Sequence, residues 1–395
     1  MQISRVARSC DRRFDETIRG DMTGGRPGGA AGAGTAPDDP SLLFGDDFGE
    51  RGPEPDARRV RSHGLRIVTA VGLVLLLLLG AAAGTLYLLS ENIGDNVQRV
   101  PDVFGALDES SRPPQAEALT FLLVGTDSSS AEPTTGTDAT GAAFVPGAQR
   151  SDVLMIARIE PDRTGASVVS IPRDSRGRDP RPRFQQDQCR LLVRRPSLLI
   201  QTVEDLTALR IDHFAVIDFA GFQSMVDSVG GIDVAIAEVT SNQGVDFRQG
   251  VNHLDGAQAL AYVQQRYGLP NGDLDRAHRQ QNALRALLAK AASSGTLSDP
   301  IALYDLLDAT SRSVGVDDTL GNGALRSLAF GLRGLRPSAV TFLNAPVAGL
   351  GREGAQSVVY LDDSRSTDLW TALRAGRVDG YADRYPEDAL GATTR

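Results

Sequence analysis

An uninterrupted apolar run occupies residues 67–89 (IVTAVGLVLLLLLGAAAGTLYLL), 23 positions without a charge. About 20 apolar residues in a helix cross a bilayer core of roughly 30 Å, so the run predicts one transmembrane helix. It is too long, and starts too late, for the apolar stretch of a signal peptide, about 7–15 residues near an N-terminus. Upstream, residues 22–57 are dominated by Gly, Pro and Asp and keep no apolar period, so residues 1–66 are expected to be a disordered tail. Downstream, residues 90–114 are polar and Pro-containing and read as a stalk.

From residue 115 the pattern becomes that of a packed domain. Residues 119–125 (LTFLLVG) form a continuous apolar run suited to a buried strand. Residues 153–159 (VLMIARI) and 166–171 (ASVVSI) flank a Pro-Asp-Arg-Thr-Gly turn and predict a hairpin. Helical spacing at Leu198, Leu199, Val203 and Leu206 is followed by a strand at 213–219 and a helix at 220–229 that stops at Gly230-Gly231. A short strand at 232–236 and helices at 255–264 and 276–292 come next. Helical patterns near 299–313 and 320–334, strands at 339–343 and 357–361, and a helix at 365–374 complete the domain. Strands interleaved with helices predict an α/β fold, an α/β/α sandwich around a central mixed sheet, over residues 115–375. Residues 376–395 read as a flexible tail.

Charge orients this arrangement. Arg58, Arg59, Arg61 and Arg66 precede the apolar run, while Glu91 and Asp95 follow it. Positive charge stays on the cytoplasmic side, so the tail is expected inside and the domain outside the cell membrane. Residues 1–66 hold 11 Arg against 11 acidic residues, so the net charge of −9 belongs entirely to the rest of the chain. An acidic domain argues against a general nucleic-acid binder. Cys10 and Cys189 fall on opposite sides of the expected span, which excludes a disulfide between them and a disulfide-built scaffold.

Within the acidic domain lie two basic blocks. Residues 173–195 hold eight Arg against three Asp, and Arg266, Arg276, Arg279 and Arg285 are interleaved with Asp273 and Asp275. Such blocks are often only solvated surface. Here, however, Arg173-Asp174 follows directly on a buried strand, where α/β proteins place ligand groups. Arg276 and Gln280 are four residues apart and share a face near a helix N-terminus, a natural anion site. Asp127, Asp152 (in Arg150-Ser151-Asp152) and Asp273 sit at element edges, as caps and turn formers do. Carboxylates beside arginines also suit Mg²⁺ bridged to a phosphate. No phosphate-binding P-loop motif occurs.

Taken together, LLVGTD (122–127), Arg150-Ser151-Asp152, SIPRD (170–174), IDHFAVIDFAGF (211–222), VDSVGGIDV (226–234), LDGAQALAYV (254–263) and the segment 266–281 resemble the LytR-CpsA-Psr family of cell-wall glycopolymer ligases, of actinobacterial type. The resemblance implies a membrane-anchored, Mg²⁺-dependent phosphotransferase. Its substrates would be a polyprenyl-pyrophosphate-linked glycopolymer and a peptidoglycan acceptor, joined through a phosphodiester. It implies catalytic roles for Arg150, Asp152 and Arg173. Arg173, Arg266, Arg276, Gln280 and Asp273 would bind pyrophosphate, Asp127 and Asp152 would hold Mg²⁺, and an apolar cavity would take the polyprenyl tail. Two departures stand out: Gln264-Gln265-Arg266 replaces a triplet that often carries two Arg, and the segment after Arg173-Asp174 is Arg-rich, with Gln185, Gln186 and Gln188. The alternatives are a non-enzymatic wall anchor and a polyprenyl-pyrophosphate hydrolase.

Overall fold

The computed structural model describes residues 94–127, 150–176, 196–293, 300–354 and 356–395. The expected tail, the apolar run at 67–89, Cys10 and Cys189 lie outside them. Among the described residues no helix is long and apolar enough to cross a membrane.

In chain order, β1 (Gln98–Val100), β2 (Leu119–Asp127), β3 (Arg150–Ile159), β4 (Ala166–Ser170) and the two-residue β5 (Ser175–Arg176) lead to α1 (Pro196–Thr207). β6 (His213–Asp218), α2 (Phe219–Ser228), β7 (Ile232–Ile236), β8 (Thr240–Asn242), β9 (Val245–Phe247) and β10 (Gly250–Leu254) follow. Then come α3 (Gly256–Gln264), α4 (Asp273–Ala291), α5 (Pro300–Ser313), β11 (Val314–Asp317) and α6 (Asn322–Leu332). β12 (Val340–Asn344), β13 (Val347–Glu353), β14 (Gln356–Leu361), α7 (Asp363–Arg374) and α8 (Val378–Arg384) close the series.

Seven strands form one mixed sheet in the order β1-β11-β6-β2-β3-β4-β12. β2 and β3, and β3 and β4, pair antiparallel, whereas β2 runs parallel to β6 and β4 parallel to β12. Alternation along each strand then divides the side chains between two faces. Leu122, Val124, Leu154, Ile156, Val169 and Phe214 pack with α1 and α7 on one face. On the other, Phe121 and Ile159 cluster with residues of α6, and Met155, Val168 and Phe342 with Leu284 and Leu288 of α4. Helices therefore flank the sheet on both sides, as the sequence pattern predicts. A second core joins β7, β10, α2, α3 and α4 around Val226, Ile232, Tyr262 and Ala283.

Local chemistry sets the element ends. Asp218 accepts from the Gly221 amide and caps α2. At its far end Gly230 and Gly231 take φ of 75° and 88°, and the Gly231 amide closes back on the Val226 carbonyl. Residues with a Cβ rarely adopt these angles. Asp255 and Gln258 form a capping box at α3.

Two expectations change. The polar stretch read as a stalk contributes β1, an edge strand parallel to β11, and Val103 is fully buried. Edge strands this short leave too little apolar alternation to recognise. The segment 376–395 is not loose. It holds α8, the Tyr381 hydroxyl donates to Asp388 at 2.7 Å, and isolated bridges join Ala389 to Leu343 and Thr394 to Ile236. Val378 and Tyr381 of α8 also enter the core beside α7, but seven helical residues are too few for their spacing to stand out in the sequence.

Candidate active site

The antiparallel β3–β4 register sets Met155 opposite Ser170, and the Ile171 amide continues it to the Leu154 carbonyl at 2.9 Å. Carried on, this register returns Arg173 toward the end of β3 that bears Asp152. On the neighbouring pair, Asp127 lies opposite Arg150 and Thr126 opposite Ser151, but Gly125 pairs with Val153. Asp152 is thus the extra residue of a β-bulge, a device that re-aims a strand end. For Asp127, Arg150 and Asp152 these backbone positions are what the structure describes.

Beyond β4 the chain turns at Pro172, and α4 supplies the opposite wall of a cleft. Arg173, Asp174, Asp273, Arg276 and Gln280 all line it. Arg173 reaches Asp273 at 3.5 Å and Asp174 at 3.6 Å, and Arg276 reaches Asp273 at 3.7 Å. Four of the residues singled out in the sequence, Arg173, Asp273, Arg276 and Gln280, therefore converge, with Asp174 beside them. Asp273 is the first residue of α4, with Gly272 as N-cap, rather than a residue preceding the helix. Arg276 consequently stands at the end of the first turn and is almost wholly buried, as is Gln280. Below them Asp275 accepts from the Asn271 amide at 2.8 Å and from its side chain at 3.1 Å, which ties down the loop entering α4.

Burial raises the Asp174 carboxyl above the usual aspartate range; the nearby Arg173 opposes this, Asp273 adds to it, and Arg276 opposes it. One of its oxygens, Oδ1, is buried without a hydrogen-bond partner. A buried carboxylate with a spare oxygen beside two guanidinium groups is suited to holding or moving a proton.

Arg266 is not among the residues lining this cleft. Its guanidinium stacks on the Tyr267 ring at 4.5 Å and donates to the Tyr267 hydroxyl. Arg279 turns the other way, fully buried, and donates to Gln265 at 2.7 Å and to Thr240 at 2.8 Å. Of the departing triplet, Gln265 thereby anchors Arg279, while Gln264 accepts from Gln243 at 2.8 Å. Periodicity alone could not have told Arg276 from Arg279, because neighbouring turns of one basic helix carry both.

Adjoining the cleft is an apolar cavity of about 280 Å³ between the sheet and α2, α3 and α4. Leu123, Met155, Phe222, Met225 and Leu284 are among its lining residues, and Val153 and Gln280 line both spaces. Among the described residues no three His, Cys, Asp or Glu side chains cluster as metal ligands.

A mixed sheet flanked by helices, with paired arginines and carboxylates in a cleft at one end and an apolar cavity beside it, defines the class as an α/β protein with a charged cleft next to an apolar one. The LytR_cpsA_psr family model matches residues 92–375, and the chain belongs to that family. It is 34% identical over 305 residues to the cell wall biosynthesis protein LcpA of Corynebacterium glutamicum, covering 69% of this chain and 57% of the relative. The probable cell wall biosynthesis protein LcpB of the same organism is 34% identical over 64% of this chain and 60% of its own length. The alignments thus span less than two thirds of these relatives. A polyisoprenyl-teichoic acid–peptidoglycan teichoic acid transferase, TagU of Oceanobacillus iheyensis, is 28% identical over 60% of this chain and 73% of its own. Among solved structures, the LytR-Csp2A-Psr enzyme from Actinomyces oris shares the fold at a TM-score of 0.50 and 21% identity, over 70% of this chain and 96% of its own.

Proposed function

We propose that the chain is a cell-wall glycopolymer transferase that moves a glycopolymer from a polyprenyl-pyrophosphate carrier to peptidoglycan. The observation that carries this reading is that the charged cleft and the apolar cavity lie side by side, with Val153 and Gln280 lining both. A polyprenyl pyrophosphate has this same division into an anionic head and an apolar tail. Relatives named as transferases support the reaction class.

In the proposed reaction an acceptor hydroxyl on peptidoglycan attacks the phosphorus nearest the glycopolymer. The bond from that phosphorus to the bridging oxygen breaks, and polyprenyl phosphate leaves. Arg173 and Arg276 neutralise the charge that gathers on the phosphates, as preorganised dipoles and charges do in a site shielded from water. Gln280 holds a phosphate oxygen at the head–tail boundary. Asp174 takes the hydroxyl proton: its burial favours the protonated form and Arg173 steadies the anion beforehand.

Mg²⁺ is the cation proposed for the strand ends. Asp127 and the bulged Asp152 are hard oxygen donors on paired strands, and Mg²⁺ takes few protein carboxylates together with substrate phosphates. These two residues would hold it, and the ion would supply further charge neutralisation at the pyrophosphate. In the expected setting the domain stands outside the cell membrane on a single N-terminal span.

The test is polyprenyl phosphate release by the full chain, given carrier-linked glycopolymer and peptidoglycan across a Mg²⁺ titration. Transfer predicts glycopolymer joined to peptidoglycan by a phosphodiester. Release without joining identifies a hydrolase, and no release identifies an anchor.

A further inference from the structure

Residues 376–395 lie beyond the family-matched segment, yet they bind the helix that carries half of the cleft. Arg276 and Gln280 face the cleft from α4, whereas Arg279, Asn282 and Arg285, each three residues on from the last, run along another face. That second face meets the end of the chain. Asn282 donates to the Thr394 hydroxyl at 3.2 Å and to the Tyr262 hydroxyl at 2.9 Å, and Tyr262 and Thr394 are themselves hydrogen-bonded. Arg285 donates to the Gly391 carbonyl at 2.9 Å and to the Ala392 carbonyl at 3.3 Å. Arg279 donates to the main-chain oxygen of Arg395, its guanidinium 4.6 Å from the Tyr262 ring centre. The segment is fixed at both ends to strands. The Leu390 amide donates to Phe342 in β12 at 3.0 Å, the Thr394 amide to Ala235 in β7 at 3.2 Å, and the Ala237 amide to Thr394 at 2.8 Å.

We propose that residues 389–395 are a strap that sets the position of α4 against β12 and β7, making Thr394, Asn282 and Arg279 positioning residues for the phosphate grip of Arg276 and Gln280. The proposal rests on the pyrophosphate reading of the cleft. Its physical basis is that consecutive turns of α4 are bonded to one strap whose ends are held by β12 and β7. A shift of the helix along its axis would break these bonds together. Arginine forks and amide donors tolerate little displacement from a phosphate before their hydrogen bonds fail.

The test uses the full-length protein in detergent, with geranylgeranyl pyrophosphate as the probe. Binding and amide hydrogen exchange are measured on wild type, Thr394→Val, Thr394→Ser and a chain ending at Leu390. Thr394→Val keeps the side-chain shape and removes the hydroxyl. It is expected to weaken probe binding about 3- to 10-fold, the scale of one hydrogen bond. Exchange should rise in α4 and stay unchanged in β2 and β3. Thr394→Ser should restore both measurements to wild type. The shortened chain should lose more than tenfold in binding.

Wild-type affinity in Thr394→Val, or a rise in exchange spread evenly over the domain, overturns the proposal. If the wild type itself fails to bind the probe, the pyrophosphate reading falls, and with it the claim about grip. A rise in exchange confined to α4 would still uphold the mechanical role of the strap.

Discussion

Arg276 is held within a salt bridge of Asp273, whose own side chain is 40% exposed and so remains hydrated when its partner is removed. Arg276→Ala should therefore leave the fold intact while weakening carrier binding. One charge-assisted hydrogen bond contributes about 1.5–3 kcal/mol, so the loss should be roughly 10- to 100-fold, measured as a dissociation constant for polyprenyl pyrophosphate. Asp174 carries the opposite trade. Burial raises its carboxyl pKa in the folded chain, so across the window from the ordinary aspartate value up to the raised one the folded state binds more protons than the unfolded. Its contribution is fully present below that window and is lost as pH rises through it. Asp174→Asn should accordingly raise the melting temperature at neutral pH and flatten the fall in stability between acid and neutral conditions. Polyprenyl phosphate release should drop in the same variant. A thermal melt series at several pH values, paired with one release assay, checks both signs.

At the level of elements, the bulge between β2 and β3 joins packing to the site. A Cβ added at Gly125 would lie 2.7 Å from Cβ of Val153, the residue shared by the cleft and the cavity. Overpacking of this kind costs about 1–3 kcal/mol. Gly125→Ala should lower the unfolding free energy by that amount, read as a lower urea midpoint at unchanged slope, and reduce carrier binding with it. The strands β2 and β3 were legible as continuous apolar runs because each face of the sheet is buried, so Leu122 and Leu123 both had to be apolar while serving different cores. The hairpin was legible from its turn, and the approach of Arg173 to the Asp152 end of β3 follows from hairpin length alone. The division of labour along α4 was not legible: Arg276 and Arg279 differ only in which wall they meet, and that depends on where α4 settles. Nor could β1, β11 or the strap be seen, since their partners are remote in sequence and each is held by main-chain pairing with only a few side chains, such as Val100, Val316 and Thr394.

For the whole molecule, the expected topology makes a direct prediction. Reporter fusions after Arg61 and after Asp95 should read opposite compartments, the first cytoplasmic and the second outside. Two cytoplasmic readings would remove the acceptor from reach and the proposed function with it. The sheet order adds a consequence in time. Gln98 at the start of the described chain pairs with Gly315, and α4 gains its last anchors only from residues 389–395. Sheets closed by such distant partners form slowly, because long loops must close before the contacts stabilise them. A chain delivered from its N-terminus can thus complete the β2–β3–β4 core early, yet α4 and the cleft it lines stay unfinished until residues 389–395 arrive. Under the proposed function, the domain would pass through a folded but inert interval, in which a lipid carrier could not be engaged until residues 389–395 had docked on α4.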